Sequence, residues 1–97
     1  MKTSHNWTME ENLLVITEFV KRYKYQDQKT IEQNLAEKIG TTAYSVRLTR
    51  KNLYYYAINK REGFGSSHSS NQVKALLYYL ENLHDGDDKK LLRILSD

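Results

Sequence analysis

Apolar residues recur at helical spacing in five stretches of this chain. The first runs Leu13, Ile16, Phe19, Val20 and Tyr23, with Leu14 and Val15 widening the arc. Ahead of it, Thr8-Met9-Glu10-Glu11 is a capping box: the Thr8 hydroxyl accepts from the Glu11 amide while the Glu11 carboxylate reaches back. Glu10 and Glu11 at the start and Lys21, Arg22 and Lys24 near the end suit the helix dipole. This predicts a helix from residue 8 to about residue 24, with Trp7 packed over the core.

The second stretch, Ile31, Leu35, Ala36 and Ile39, predicts a short helix, with Thr30-Ile31-Glu32-Gln33 as a second capping box. Gly40 stands where a left-handed C-terminal cap is needed. Thr41 or Thr42 then caps a third helix running to about Asn59. Its inner stripe is Val46, Thr49, Leu53, Tyr56 and Ala57. Its opposite stripe is Tyr44, Arg47, Leu48, Lys51 and Tyr55, with Arg50 near the boundary. Tyr54, Tyr55 and Tyr56 spread over about 200° of the helix, so at least one is a surface aromatic. A loop covers residues 60–68. Ser69-Ser70-Asn71-Gln72 caps a fourth helix with Val73, Leu76, Leu77, Leu80 and Leu83 on one face. His84-Asp85-Gly86-Asp87-Asp88 breaks it, and a last short helix holds Leu91, Leu92 and Leu95. With no proline anywhere, helices end on glycine and polar caps.

The expected fold is therefore all-α: a trihelical helix-turn-helix core over residues 1–62, a Gly/Ser loop at 63–69, and a C-terminal helical pair at 70–97. That pair either packs on the core or forms a dimer seam. Ninety-seven residues suit one small domain with a thin stability margin. No cysteine is present, which excludes disulfides and thiolate metal sites. No run approaches a membrane span, and no signal-peptide core follows the start, so a cytoplasmic site is expected.

Charge changes the picture through its placement. The net charge of +3 says little, but from Thr41 to Arg61 there are five cations (Arg47, Arg50, Lys51, Lys60, Arg61) and no acid. That concentration on one segment is what a footprint for phosphate requires. The same segment carries a motif. Ala36, Gly40 and Val46 stand at the spacing of the bacterial helix-turn-helix, with Leu35 and Ile39 between. A small residue lets the two helices cross closely, glycine supplies positive φ, and valine plugs the second helix into the core. Thr49 departs from the pattern, where a larger apolar residue is usual.

In that geometry the second helix of the motif enters the major groove with its N-terminal part nearest the bases. The expected DNA-binding residues are Thr41, Thr42, Tyr44, Arg47, Leu48, Arg50, Lys51, Lys60 and Arg61. Arg47 is the candidate for bidentate contact with a guanine edge. Thr41 and Thr42, with backbone amides at the helix start, are candidates to hold a phosphate. Arg50, Lys51, Lys60 and Arg61 would contact phosphates that position without specifying.

Three segments resemble the N-terminal region of bacterial HNH-type restriction endonucleases, in the right order. They are Trp7-Thr8-Met9-Glu10-Glu11, Gly40-Thr41-Thr42-Ala43-Tyr44-Ser45-Val46-Arg47-Leu48 with Asn52-Leu53, and Gly63-Phe64-Gly65-Ser66-Ser67-His68-Ser69. The first two also resemble Myb/SANT-like trihelical domains. The resemblance spans about residues 7–82 and implies a helical DNA-reading module. Thr41 replaces the usual arginine of that family, and Arg50 replaces an apolar residue. No paired-histidine metal motif follows, so the resemblance carries the binding half and not the cutting half.

Catalytic chemistry finds no foothold in the residues. His5, His68 and His84 lie far apart, so no metal is expected. Gly63-Phe64-Gly65 lacks the lysine of a phosphate loop. Nothing beside the Tyr54–Tyr56 run would activate a tyrosine nucleophile. The expectation is a non-enzymatic DNA-binding protein without cofactor, its partner duplex DNA, with homodimerisation open. The alternative is a phage- or mobile-element-encoded interaction module that binds and inhibits host defence machinery, such as a nuclease. Exposed Tyr44, Leu48 and Tyr55 would then be its anchors.

Overall fold

A computed structural model describes residues 5–59 and 71–96. The described residues form five helices and no strand: α1 (Met9–Arg22), α2 (Gln28–Ile39), α3 (Ala43–Ile58), α4 (Asn71–Asn82) and α5 (Asp88–Leu95). The fold is all-α.

Local chemistry sets most of the boundaries. Thr8 caps α1 through the expected reciprocal box: its hydroxyl accepts from the Glu11 amide at 3.1 Å, and Glu11 accepts from the Thr8 amide at 3.1 Å. The helix ends at Arg22, two residues before the expected Lys24, because the chain turns there through Tyr25 and Gln26 amides bonded to the Arg22 carbonyl. The start of α2 corrects the sequence reading. Asp27, not Thr30, is the cap: its carboxylate accepts from the Thr30 amide at 2.9 Å, so the helix begins three residues earlier than the Thr30 box required. Hydrogen bonding from the Thr30 side chain first, and then from its backbone amide, lowers the Asp27 pKa below its usual range.

Between α2 and α3 the chain reverses in three residues. Gly40 sits at φ 91°, and both its amide and the Thr41 amide donate to the Ala36 carbonyl, at 2.8 and 3.0 Å. A side chain at Gly40 would meet no neighbour within 4 Å, so the demand for glycine is conformational and not steric. Thr42 then caps α3, its hydroxyl accepting from the Ser45 amide at 3.1 Å.

One core joins all five helices. Val15, Ile16 and Phe19 of α1 meet Leu35 and Ala36 of α2, Val46 and Leu53 of α3, Leu76 of α4 and Leu95 of α5. Trp7 packs on this core and ties α1 to α3, its indole N–H donating to the Ser45 hydroxyl at 3.2 Å. Helix α4 packs against α1 and α3, and α5 against α3 and α1. The apolar faces of the C-terminal pair are thus used inside this chain. The inward face of α4 is Val73, Ala75, Leu76 and Tyr79, with Leu77 and Leu80 half-buried. Leu83, expected on that face, lies past the end of the helix and is exposed. Of the expected cap of α4, Ser69 and Ser70 lie outside the described residues.

Gly40→Ala is expected to cost about 1–2 kcal/mol, the penalty of a left-handed residue bearing a Cβ. Gly40→Asn should cost less. Urea unfolding of the three proteins checks the order. Asp27→Ala is expected to lower the melting temperature at pH 7. Because the folded pKa of Asp27 is depressed, its contribution is present above the usual aspartate range and fades as pH falls through the folded value. The gap in melting temperature between wild type and Asp27→Ala should therefore narrow and close as pH falls below the usual aspartate range.

Candidate nucleic-acid interface

The site is built on α3, which has apolar residues on two opposite faces. Val46, Thr49, Leu53 and Ala57 point into the core, as the stripe at 3.6-residue spacing requires. Tyr44, Leu48, Lys51 and Tyr55 stand on the far side and are exposed. Tyr44 is 64% exposed, Leu48 43% and Tyr55 62%. Ile58, 48% exposed, continues the same stripe one step further. Among the three adjacent tyrosines, Tyr55 is the surface one, and Tyr54 and Tyr56 pack partly against the core.

Arg50 overturns the expectation placed on it. The sequence reading made it a phosphate contact near a face boundary. In the structure it is 1% exposed, among the largest fully buried side chains of the protein. Position 50 is four residues after Val46 and three before Leu53, which turns it inward. Both terminal nitrogens of its guanidinium hold the fold together. Nη2 donates to Glu32 Oε2 at 3.0 Å, and Nη1 donates to the carbonyls of Leu95 and Ser96 at 2.8 and 3.0 Å. Its Cζ lies 5.3 Å from the centre of the Phe19 ring, within cation–π range. The carbonyls it meets are at the C-terminal end of α5, where the helix dipole favours a cation.

Glu32 is the partner that makes this possible, and it is a site residue the sequence reading missed. It is 2% exposed and shares its two oxygens between two arginines. Oε2 takes Arg50. Oε1 accepts from Arg47 Nε and Nη2 at 3.4 and 3.3 Å. Arg47, the expected base reader, is therefore anchored at one edge of its guanidinium while 41% of its side chain stays exposed. Glu32 directly follows Ile31 on the inward face of α2. A glutamate at such a position, with an inward arginine 18 residues later, is the signal that a buried pair leaves.

Other expected residues divide. Thr42 is exposed but its hydroxyl is engaged in the cap. The Thr41 amide is not available to a phosphate, because it closes the end of α2 on the Ala36 carbonyl. Lys51 is exposed beside Arg47. Lys60 and Arg61 lie outside the described residues. The structure brings a further cation to this side of α3: Lys29, in the first turn of α2, lines one shallow concavity together with Gln28, Glu32, Arg47, Arg50 and Lys51. Among the described residues, no group of three or more His, Asp or Glu side chains could hold a metal ion, and no helix is long and apolar enough to cross a membrane.

No protein-family model matches the chain, no curated protein matches it, and no solved structure matches it.

Arg50→Ala is expected to cost about 3–5 kcal/mol, since it strands the Glu32 charge inside the fold. The paired replacement Arg50→Met with Glu32→Leu should recover most of that loss, because a well-packed apolar pair removes both buried charges together. Thermal unfolding of the single and double variants measures the difference.

Proposed function

We propose that the chain is a non-enzymatic, cytoplasmic DNA-binding protein that presents α3 to the major groove. The observation that carries this reading is the geometry from α2 to α3. A three-residue turn on a left-handed Gly40 joins two helices. The second of them exposes a face bearing Tyr44, Arg47, Leu48 and Lys51 and has no acid in its sixteen residues. The N-terminal half of such a helix meets base edges, and the cations around it meet phosphates. The resemblance of Trp7–Glu11 and Gly40–Leu48 to the N-terminal region of HNH-type restriction endonucleases supports the same reading. In it, Arg47 reads a base edge with the donors that Glu32 leaves, and Tyr44 and Leu48 offer apolar contact to thymine methyl groups. Lys51, with Lys60 and Arg61 beyond the described helix, neutralises phosphates.

One observation favours a second reading. The exposed stripe is rich in large apolar side chains along its whole length, through Tyr55 to Ile58. Aromatic anchors of this kind dominate protein interfaces. A module encoded by a phage or mobile element, gripping a host defence nuclease through this stripe, would use it fully.

The two readings separate by titration against a labelled duplex. Under the first, log affinity falls linearly and steeply with log salt. Arg47→Ala is expected to cost about 1–3 kcal/mol on a preferred sequence and to flatten the preference. Lys51→Ala should weaken all sequences about equally. Absence of duplex binding at low salt would reject the first reading. Retention of a nuclease by the protein after the DNA has been digested, lost in Tyr55→Glu, would establish the second.

A further inference from the structure

We propose that the concavity between the first turn of α2 and the middle of α3 is a seat for one backbone phosphate of duplex DNA. The proposal rests on the DNA-binding reading. It extends the contact surface to α2, through Lys29 with Glu32 beneath it as a positioning residue, which a reading of α3 alone does not reach.

The floor of the concavity is the Glu32–Arg50 pair, closed at 3.0 Å and shielded from solvent. Their charges offset each other, and neither can turn outward without stranding the other. The rim is different. Lys29 and Lys51 are exposed, and Arg47 is partly so. Four cations and one carboxylate therefore line a single depression. A depression with that balance and a low-dielectric floor concentrates positive potential at its mouth.

The carboxylate does not spoil the site; it builds it. Glu32 Oε1 holds two of the five N–H donors of Arg47 and fixes the guanidinium at the rim. Of the other three, two are left for a base edge and one for a phosphate oxygen, all offered from a fixed plane, so less freedom is lost on binding. Lys29 adds a second argument. A cation in the first turn of a helix opposes the helix dipole; the first turn of α2 itself carries no acid, and the offsetting carboxylate is the Asp27 cap, engaged with the Thr30 amide. Together the amino-terminal dipole and the ammonium raise the potential at one end of the depression, with Lys51 on α3 at its side. A singly charged phosphodiester suits this arrangement. It needs a few charge-assisted hydrogen bonds and no sequence information. Glu32 acts here as a positioning residue for Arg47.

The test uses the whole chain and two probes, a fluorescent 20-base-pair duplex and inorganic phosphate. Wild type, Lys29→Ala and Lys29→Arg are titrated by anisotropy between about 50 and 300 mM KCl, with unchanged melting temperatures as the folding control. Lys29→Ala is expected to weaken binding about 5–10-fold at the lowest salt, equally for unrelated sequences, and to reduce the salt slope by about 1. Lys29→Arg should restore both. Inorganic phosphate that displaces the duplex from wild type beyond the effect of equal ionic strength, but not from Lys29→Ala, would show the free anion in the same seat and support the proposal. Wild-type affinity and slope in Lys29→Ala would overturn the seat and leave DNA binding standing. No duplex binding by wild type would overturn both. Loss of affinity confined to one sequence would also overturn it, since a phosphate contact carries no sequence preference.

Discussion

The buried guanidinium of Arg50 is the interaction on which the arrangement of this small protein depends. It stands on α3, binds Glu32 on α2, donates to the last carbonyls of α5 and lies over Phe19 of α1. Four of the five helices therefore meet at one side chain. An apolar residue in its place would fill the volume but would not choose partners. A charge in the interior does, because it is stable only where a carboxylate and oriented carbonyls surround it. The pairing is directional, and it limits the ways in which α2 and α5 can settle on α3.

That constraint reaches the surface through Glu32. The same carboxylate that neutralises Arg50 inside holds Arg47 at the edge, so the interior of the fold and the candidate contact face share a residue. Helix α3 is poised between the two. One face is fixed by Val46, Leu53 and Ala57 in the core, and the other carries Tyr44, Leu48, Lys51 and Tyr55 to solvent. A helix held this firmly from behind can present its outer side chains with little backbone freedom to lose on binding.

Much of the fold was legible in the sequence because local chemistry decides it. Thr8 and Glu11 cap α1 as their spacing requires, Gly40 takes the left-handed conformation, and Val46 and Leu53 turn inward with their helix. The start of α2 was misread. Its spacing pointed to a cap at Thr30. Asp27 prevails with a direct carboxylate–amide bond, and three more residues join the helix. Farther along, Leu83 continued the spacing of its helix, but it stands just past the end of α4 and is exposed.

By itself the sequence determined five helical stretches, the caps at Thr8, Gly40 and Thr42, the tight turn before α3 and the acid-free, tyrosine-rich outer face of that helix. These follow from spacing and capping, which act over three or four residues. Only the tertiary structure decided the fate of the charges. Arg50 looked like a member of a cationic cluster, and Glu32 like an ordinary helix residue. Whether each faces water or the other depends on how α2, α3 and α5 dock. The same docking brings Lys29 to the side of Arg47 and Lys51 across 18 and 22 residues of chain. Helical periodicity tells which way a side chain points on its own helix; it does not tell what a neighbouring helix places opposite.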